Sequence, residues 1–252
     1  MGRVAALWRH PIKSHGREAL QSVTLSRGQT MPWDRQWAVL SGNGEFDAEQ
    51  PEWVPCKNFM IGTHTPGLAG LWSQLDEATG QVILTHATLG TYQFHPDIPD
   101  EAAGFFEWIA PLTSRQRPQP ARIVAVPGRG MTDSDYPSIS IMNTASHRAV
   151  EAQLGREFEP ERWRGNIWID GLSAWEEWGW IGKELRIGTA TLVVRERIQR
   201  CLHTTANPKS GESDVDTLGA LKQGWGHHDF GLYAEVVAGG RVDLGDQAEE
   251  NA

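Results

Sequence analysis

The sequence predicts a mainly β protein with a few short helices, of the α+β class, folded as two β-rich units. Three observations carry this. Glycine and proline are frequent, 27 and 14 in 252 residues, which suits many turns rather than long helices. Short alternating apolar runs recur along the chain, each bounded by turn residues. Hydrophobic residues make up 39% and charged residues 22%, enough apolar material for a real core in a chain of this length.

In chain order, RVAALWR (3–9) reads as a strand and HPIKS as the turn after it. LQSVTL (20–25) alternates as a second strand. WDRQWAVL (33–40) is a third, closed by the hairpin signal Gly42-Asn43-Gly44. QVILTH (81–86) is another. Together these predict an N-terminal β domain over residues 1–100 with no helix inside it. EAAGFFEWIA (101–110) reads as a short helix ended by Pro111, and RQRPQP (115–120) is a linker by composition, so 101–120 separates the two units.

The second unit, 121–248, opens with the strand ARIVAV (121–126). SISIM (138–142) follows, and Asn143 or Thr144 can cap a helix over 145–154 that Gly155 stops. NIWID (166–170) is a strand, ELRI and TLVVRE (184–187, 191–196) form a hairpin, and DTLGALKQ (216–223) is a helix. GLYAEVV and GRVDLGD (231–237, 240–246) predict a last hairpin through Gly239-Gly240. The polar tail QAEENA reads as frayed. Many short strands with few helices favour a β-barrel.

Composition excludes several function classes. A net charge of −9 argues against a nucleic-acid partner, which needs clustered Lys and Arg, although local basic pockets for a phosphate remain open. Two cysteines, Cys56 and Cys201, cannot build a disulfide framework or the four-thiolate site of an iron–sulfur cluster. No segment reaches the ~20 apolar residues of a membrane span, and Arg3, Arg9, His10 and Lys13 interrupt any N-terminal apolar run. The expected address is a reducing cytoplasm. The 12 tryptophans read as core filling.

Chemistry concentrates in RERIQRCLHTTANPKSG (195–211). The apolar run LRIGTATLVV before it and the Pro/Gly/Ser-rich loop after it place Cys201 where a buried strand runs out into a loop. Arg200 adjoins it, with Arg195 and Arg197 just upstream. Flanking cations favour the thiolate, which is both nucleophile and metal ligand; the competing reading is an inert buried cysteine. Four other places offer cations and neutral donors. Lys13-Ser14 in HPIKS provides an ammonium and a hydroxyl, or else an ordinary solvated turn. Arg35, on the expected strand between Trp33 and Trp37, is either a cation–π element or a phosphate fork. Arg164 and Asn166 in RWRGNI can point the same way from a strand entrance, or form a surface salt bridge and a turn. Thr204, Thr205 and Asn207 are donors or turn caps.

RC-x-x-TT-x-x-P-x-[ST]-G around Cys201 resembles the cysteine motif of the MOSC family, named for the C-terminal domain of molybdenum cofactor sulfurases. That family includes the mitochondrial amidoxime reducing component and its bacterial relatives. HPIKS resembles the family's YPVKS-type segment, DRQW its DR-x-W strand, ERWRGNI its RPNI-type segment and DLGD its closing glycine-acid turn, so the resemblance runs from Val4 to about Asp246. It implies an N-terminal MOSC-associated β-barrel-like domain packed on a C-terminal MOSC β-barrel, with a molybdenum cofactor (Mo-molybdopterin) between them. Cys201 would ligate the molybdenum and carry the catalysis. Lys13, Ser14, Arg35, Arg164 and Asn166 would contact the cofactor, as would Arg200 and Tyr233. An association with pyridoxal phosphate also attaches to the resemblance.

The chain departs from the pattern in places. Gly165 stands where Pro is usual, Asn207 and Lys209 replace acids of the reductase branch, and either Asp133 or Asp135 of TDSDYPS can serve the substrate-side loop. The resemblance implies an oxidoreductase reducing N-hydroxylated or N-oxide small molecules, recharged by a separate electron-donor protein. No Gly-rich strand-to-helix turn for a flavin or nicotinamide nucleotide is present. The alternative is a cofactor carrier without catalysis, or a persulfide carrier on Cys201. Cys201-x-His203 with His227-His228 lacks the spacing of a closed zinc site, and no nucleophile-elbow pattern supports a hydrolase. Lys13→Ala and Arg35→Ala are expected to weaken cofactor retention with the fold intact.

Overall fold

The computed structural model describes residues 1–251. Its strands are β1 (Gly2–Arg9), β2 (Glu18–Leu20), β3 (Ser22–Leu25), β4 (Ala38–Ser41), β5 (Trp72–Asp76), β6 (Gln81–His86) and β7 (Gly90–Phe94), then helix α1 (Pro99–Ile109). After β8 (Pro120–Val124) and β9 (Ile139–Asn143) comes α2 (Thr144–Leu154). The chain continues through β10 (Ile167–Asp170), β11 (Glu184–Ile187), β12 (Ala190–Gln199), α3 (Thr217–Trp225), β13 (Asp229–Ala238), β14 (Gly240–Asp243) and β15 (Gln247–Glu250). The protein is mainly β, as expected. Among the described residues, no helix is long and apolar enough to cross a membrane.

A closed barrel dominates. Its strands run β10-β9-β13-β12-β11-β15-β1, and β1 returns to pair with β10, while β2 hangs on the edge of β1. Closure leaves no free edge in the ring. The alternating residues of its strands point inward as one apolar core that includes Val4, Ile141, Ile167, Leu192, Val194 and Leu232. β14 pairs with β3 and adds Val23, Leu25 and Val242 to that core.

The sheets do not divide where the sequence suggested. The first strands, expected in the N-terminal domain over residues 1–100, pair with strands of the barrel: β1 is hydrogen-bonded to β10 and β15, and β3 to β14. Conversely β8, expected to open the second unit, pairs with β4. The second core lies over the three-stranded sheet β5-β6-β7, where Ile12, Trp37, Val82, Leu84 and Phe94 pack against Phe105 and Ile109 of α1. Alternation tells a strand which face is buried; it does not tell it which partner to take.

Three local expectations change for the same reason. Residues 32–35 form a turn rather than the first half of a strand, with Trp33 and Arg35 at φ 62° and 52°. β14 does not fold back on β13, because β3 takes its edge. The polar tail is not frayed; β15 fills the gap between β11 and β1. α2 follows its signals, with the Asn143 side chain accepting from the Ala145 N–H and Gly155 closing the helix at φ 67°.

Candidate functional site

β12 delivers Cys201. The last ladder contact beside it is the Arg200 N–H to the His228 carbonyl, 2.9 Å. Cys201 is still extended (φ −116°, ψ 176°), and a short 3-10 turn, Leu202–Thr205, follows at once. The thiol is therefore at a strand end and open, not buried. Thr63 donates its hydroxyl to Sγ at 3.1 Å. Of the expected cations only Arg200 is at the site. Arg195 pairs with Glu235 at the barrel surface, and the Arg197 guanidinium lies 3.8 Å over the Trp178 ring. Arg200 is fixed by the Phe230 and Trp163 carbonyls, both at 2.8 Å. Burial lowers its pKa to about 10, with Tyr233 and Cys201 working the other way.

Beneath the thiol lies a cavity of about 370 Å³ between the barrel end and the loops of the N-terminal part. Lys13, Ser14, Arg35, Arg164, Arg200 and Tyr233 all line it, drawn from five separated stretches of chain. Lys13 is buried, and its ammonium donates to the Met131 carbonyl at 2.7 Å and to Asp133 at 2.5 Å. Arg35 projects from its left-handed turn; Trp33 and Trp37, instead of sandwiching it, pack on each other with centroids 5.7 Å apart. Its guanidinium pairs with Asp34 and reaches the Arg164 carbonyl at 3.1 Å. Asp34 accepts the His10 N–H, 2.8 Å. Burial would raise the Asp34 carboxyl, but Arg35 and His10 hold it well below the usual range.

Arg164 is the exceptional member. It too is left-handed, at φ 50°, and both terminal nitrogens are buried with no hydrogen-bond partner. Burial first, then Arg35 and Arg17, lower its pKa to about 9. Asp133 is the one carboxylate among the lining residues, against the five cations Lys13, Arg35, Arg162, Arg164 and Arg200. Its side chain keeps 55% of its surface open to the cavity while protein surrounds it. Burial opposes its charge, yet Lys13, and then Arg35 and Arg164, bring its pKa down to about 2. Burial and Asp133 push the Tyr233 hydroxyl far up, so the phenol stays neutral. Of the two candidate acids in TDSDYPS, the cavity takes Asp133.

Asn166 does not line the cavity. Its Oδ1 accepts from the Ser140 N–H (3.1 Å) and hydroxyl (2.8 Å), and its Nδ2 donates to the Trp8 carbonyl at 3.2 Å. It staples β9 and β1 where they flank its own segment. Thr204 and Thr205 act as turn caps, donating to the Cys201 and Leu202 carbonyls. Asn207 caps its own loop by accepting the Lys209 N–H.

Several lining residues were invisible in the sequence. Cys56 faces the same cavity from a short turn, its thiol pushed up by burial. His203, weighed above only as a zinc ligand, presses Nδ1 against Gly62, where a Cβ would lie 1.4 Å away. Burial, Arg164 and Arg17 lower its pKa to about 3, so it is a neutral imidazole. Among the described residues, no group of three or more His, Cys, Asp or Glu is placed to hold a metal ion.

Comparison with known proteins decides the family. Residues 130–249 match the MOSC domain, and residues 1–106 match the MOSC N-terminal beta barrel domain. The chain belongs to the MOSC family. MOSC domains are associated with molybdenum-cofactor binding. Among solved structures, this MOSC protein is similar to the YUAD protein from Bacillus subtilis, at 13% identity over 98% of this chain and 93% of that one, TM-score 0.49. It is also similar to YiiM from Geobacillus stearothermophilus (22% identity, TM-score 0.36) and YiiM from Escherichia coli (18%, 0.35). Each of these matches covers 45% of this chain and 54% of the YiiM chain. No curated protein matches the chain.

Proposed function

We propose that this MOSC protein is a molybdenum-cofactor-dependent oxidoreductase that reduces N-hydroxylated or N-oxide small molecules, with electrons from a separate donor protein. The observation that carries the reading is Arg164. A buried guanidinium with two unpartnered nitrogens is costly unless an anion meets it. A phosphate beside an open cysteine side chain is the chemistry of a pyranopterin cofactor, and the residues present fit it. Arg164, Lys13, Arg35, Ser14, Arg200 and Tyr233 would hold the phosphate and ring edges, and Cys201 sulfur would ligate the metal. When bound, the cofactor supplies two-electron redox chemistry.

The chain's own groups bind and orient. Thr63 aims the Cys201 sulfur, Arg200 holds a fixed cation next to it in the chain, and Tyr233 offers a neutral O–H beside the ionised Asp133. Reduction of R–NH–OH to R–NH2 and water takes up two electrons and two protons, so donors at the cavity wall matter. Two free thiols suit a reducing cytoplasm. A pyridoxal phosphate site needs a lysine free to form an imine, whereas Lys13, the lysine lining the cavity, is tied to Met131 and Asp133.

The test is metal and pterin analysis of protein made in cells competent for cofactor synthesis, followed by turnover of an N-hydroxylated amidine with reduced viologen. About one molybdenum per chain and turnover are expected, with none on NADH alone. Stoichiometric molybdenum without turnover would make the protein a carrier; a persulfide on Cys201 without molybdenum would make it a sulfur carrier. Cys201→Ser is expected to abolish turnover, because a hydroxyl is a poorer ligand than a thiolate. Wild-type turnover in that variant overturns the ligand assignment.

A further inference from the structure

The segment after Cys201 is a small hairpin loop, bridged at Ala206 and Ser213 and closed by the Asn207 N–H to Glu212 and the Gly211 N–H to Asn207, both 2.7 Å. Lys209, Ser210 and Glu212 are exposed, but Pro208 and Gly211 are buried, so one side of the loop is docked. It docks on the N-terminal part. Gly211, at φ 75°, sits so close to Gly67 that a Cβ would lie 2.7 Å from its Cα.

Arg17 makes the second tie. Its Nη2 donates to the Pro208 carbonyl at 2.7 Å, across 191 residues of chain. Its Nη1 donates to the Ala69 carbonyl at 2.7 Å and the Leu71 carbonyl at 3.3 Å, and its guanidinium lies 4.1 Å over the Trp72 ring. From the barrel side, Arg162 holds the other arm through the Thr205 carbonyl (2.8 Å) and Asp214 (2.7 Å). The two arginines differ. Arg162 has carboxylate partners in Glu159 and Asp214. Arg17 is 1% exposed and bound only to carbonyls, with Nε unpartnered. A buried cation without a counter-ion is a poor way to stabilise a fold, since an apolar side chain of similar volume does as well or better. Its geometry instead serves the loop.

We propose that Arg17 is a positioning residue for Cys201: by tying the Pro208 carbonyl to the Ala69–Trp72 segment it holds the hairpin 206–213, and through it the thiol, in place for the metal. This rests on the reading of Cys201 as a metal ligand, but the arrangement of the loop can be measured without the metal.

The experiment uses cofactor-free full-length protein carrying Cys56→Ser, so that Cys201 is the single thiol. Arg17→Met and Arg17→Lys are compared with the parent for iodoacetamide alkylation of Cys201, tryptic cleavage after Lys209 and thermal melting. Losing a charge-assisted bond should raise cleavage about tenfold and change the alkylation rate several-fold in both variants. The melting point should stay within a few degrees of the parent, which a merely structural role would not give. Arg17→Lys keeps the charge and most of the stem, so it reports even where the methionine variant folds poorly. Gly211→Ala releases the same loop at its other tie and should produce the same change in alkylation. Unchanged cleavage and alkylation in folded Arg17 variants overturn the proposal, as does a loss confined to melting temperature. Absence of molybdenum from the wild type would refute the cofactor reading instead, and leaves the alkylation contrast standing.

Discussion

Arg164 and Arg35 look alike in the sequence and differ in the fold. Arg35 has a counter-ion in the buried Asp34, which His10 also touches; Arg164 has none. Two substitutions therefore separate affinity from stability. Arg164→Met should leave the melting temperature nearly unchanged or raise it, because it removes an unpaired buried charge. It should weaken cofactor retention about ten- to a hundredfold, read as pterin fluorescence remaining after dialysis. Arg35→Ala should do something else. It strands Asp34 in the interior, and breaking a buried pair costs about 3–5 kcal/mol, so urea unfolding should shift markedly. The expectation from sequence that Arg35→Ala leaves the fold intact is thus revised. Equal stability of the two variants would contradict this account.

At the scale of elements, one contact locks strands within the barrel and another sets the cavity wall against the N-terminal part. Asn166 joins its own segment to β9 and β1 by three side-chain hydrogen bonds. Asn166→Ala should destabilise the protein by about 1–3 kcal/mol through the donors it leaves unpaired, with cofactor retention per folded molecule unchanged. A retention defect without a stability defect would return Asn166 to the cofactor. Gly62 and His203 form the other contact. A methyl at Gly62 would overlap Nδ1 of His203, so Gly62→Ala must displace the imidazole from the cavity wall. His203→Ala vacates that space. The double variant should be more stable than Gly62→Ala alone, a non-additivity that a double-mutant cycle in urea measures.

For the whole molecule, the buried histidines set the response to acid. Burial lowers His10 well below its ordinary value, His15 to about 4 and His203 to about 3. The folded state therefore binds fewer protons than the unfolded state below the ordinary histidine value near 6.5. Stability is complete above that value, falls as pH drops through the window, and stops falling from this source once the folded histidines protonate near 4 and 3. Asp133, lowered to about 2, adds a further loss only below its ordinary value of 3.8. Between pH 7 and 5 the urea midpoint should thus decline through histidines, by up to about 1.4 kcal/mol per pH unit for each group fully linked. His203→Gln with His15→Asn should flatten that decline. A slope unchanged in the double variant would show that these residues are not buried neutral.

Part of this protein was legible from its order of residues alone. Period-two alternation identifies β6, β11 and β12, the Asn143 and Gly155 signals bound α2, and a thiol at the end of an apolar strand followed by Pro-Lys-Ser-Gly marks Cys201. These are local features, decided by neighbours within a turn or a strand. The tertiary structure alone decided which strand closes the barrel, why Arg35 sits in a left-handed turn, and that Asn166 faces Ser140 rather than the cavity. It also decided that Arg17 reaches Pro208 and that Arg164 is left without a partner. Each of those depends on contacts between residues far apart in the chain, and alternation or a cap carries no information about the partner across the gap. The same locality explains why Arg195 and Arg197 read as neighbours of the thiol. They are adjacent in sequence, but they are engaged elsewhere, Arg195 by Glu235 and Arg197 by the Trp178 ring.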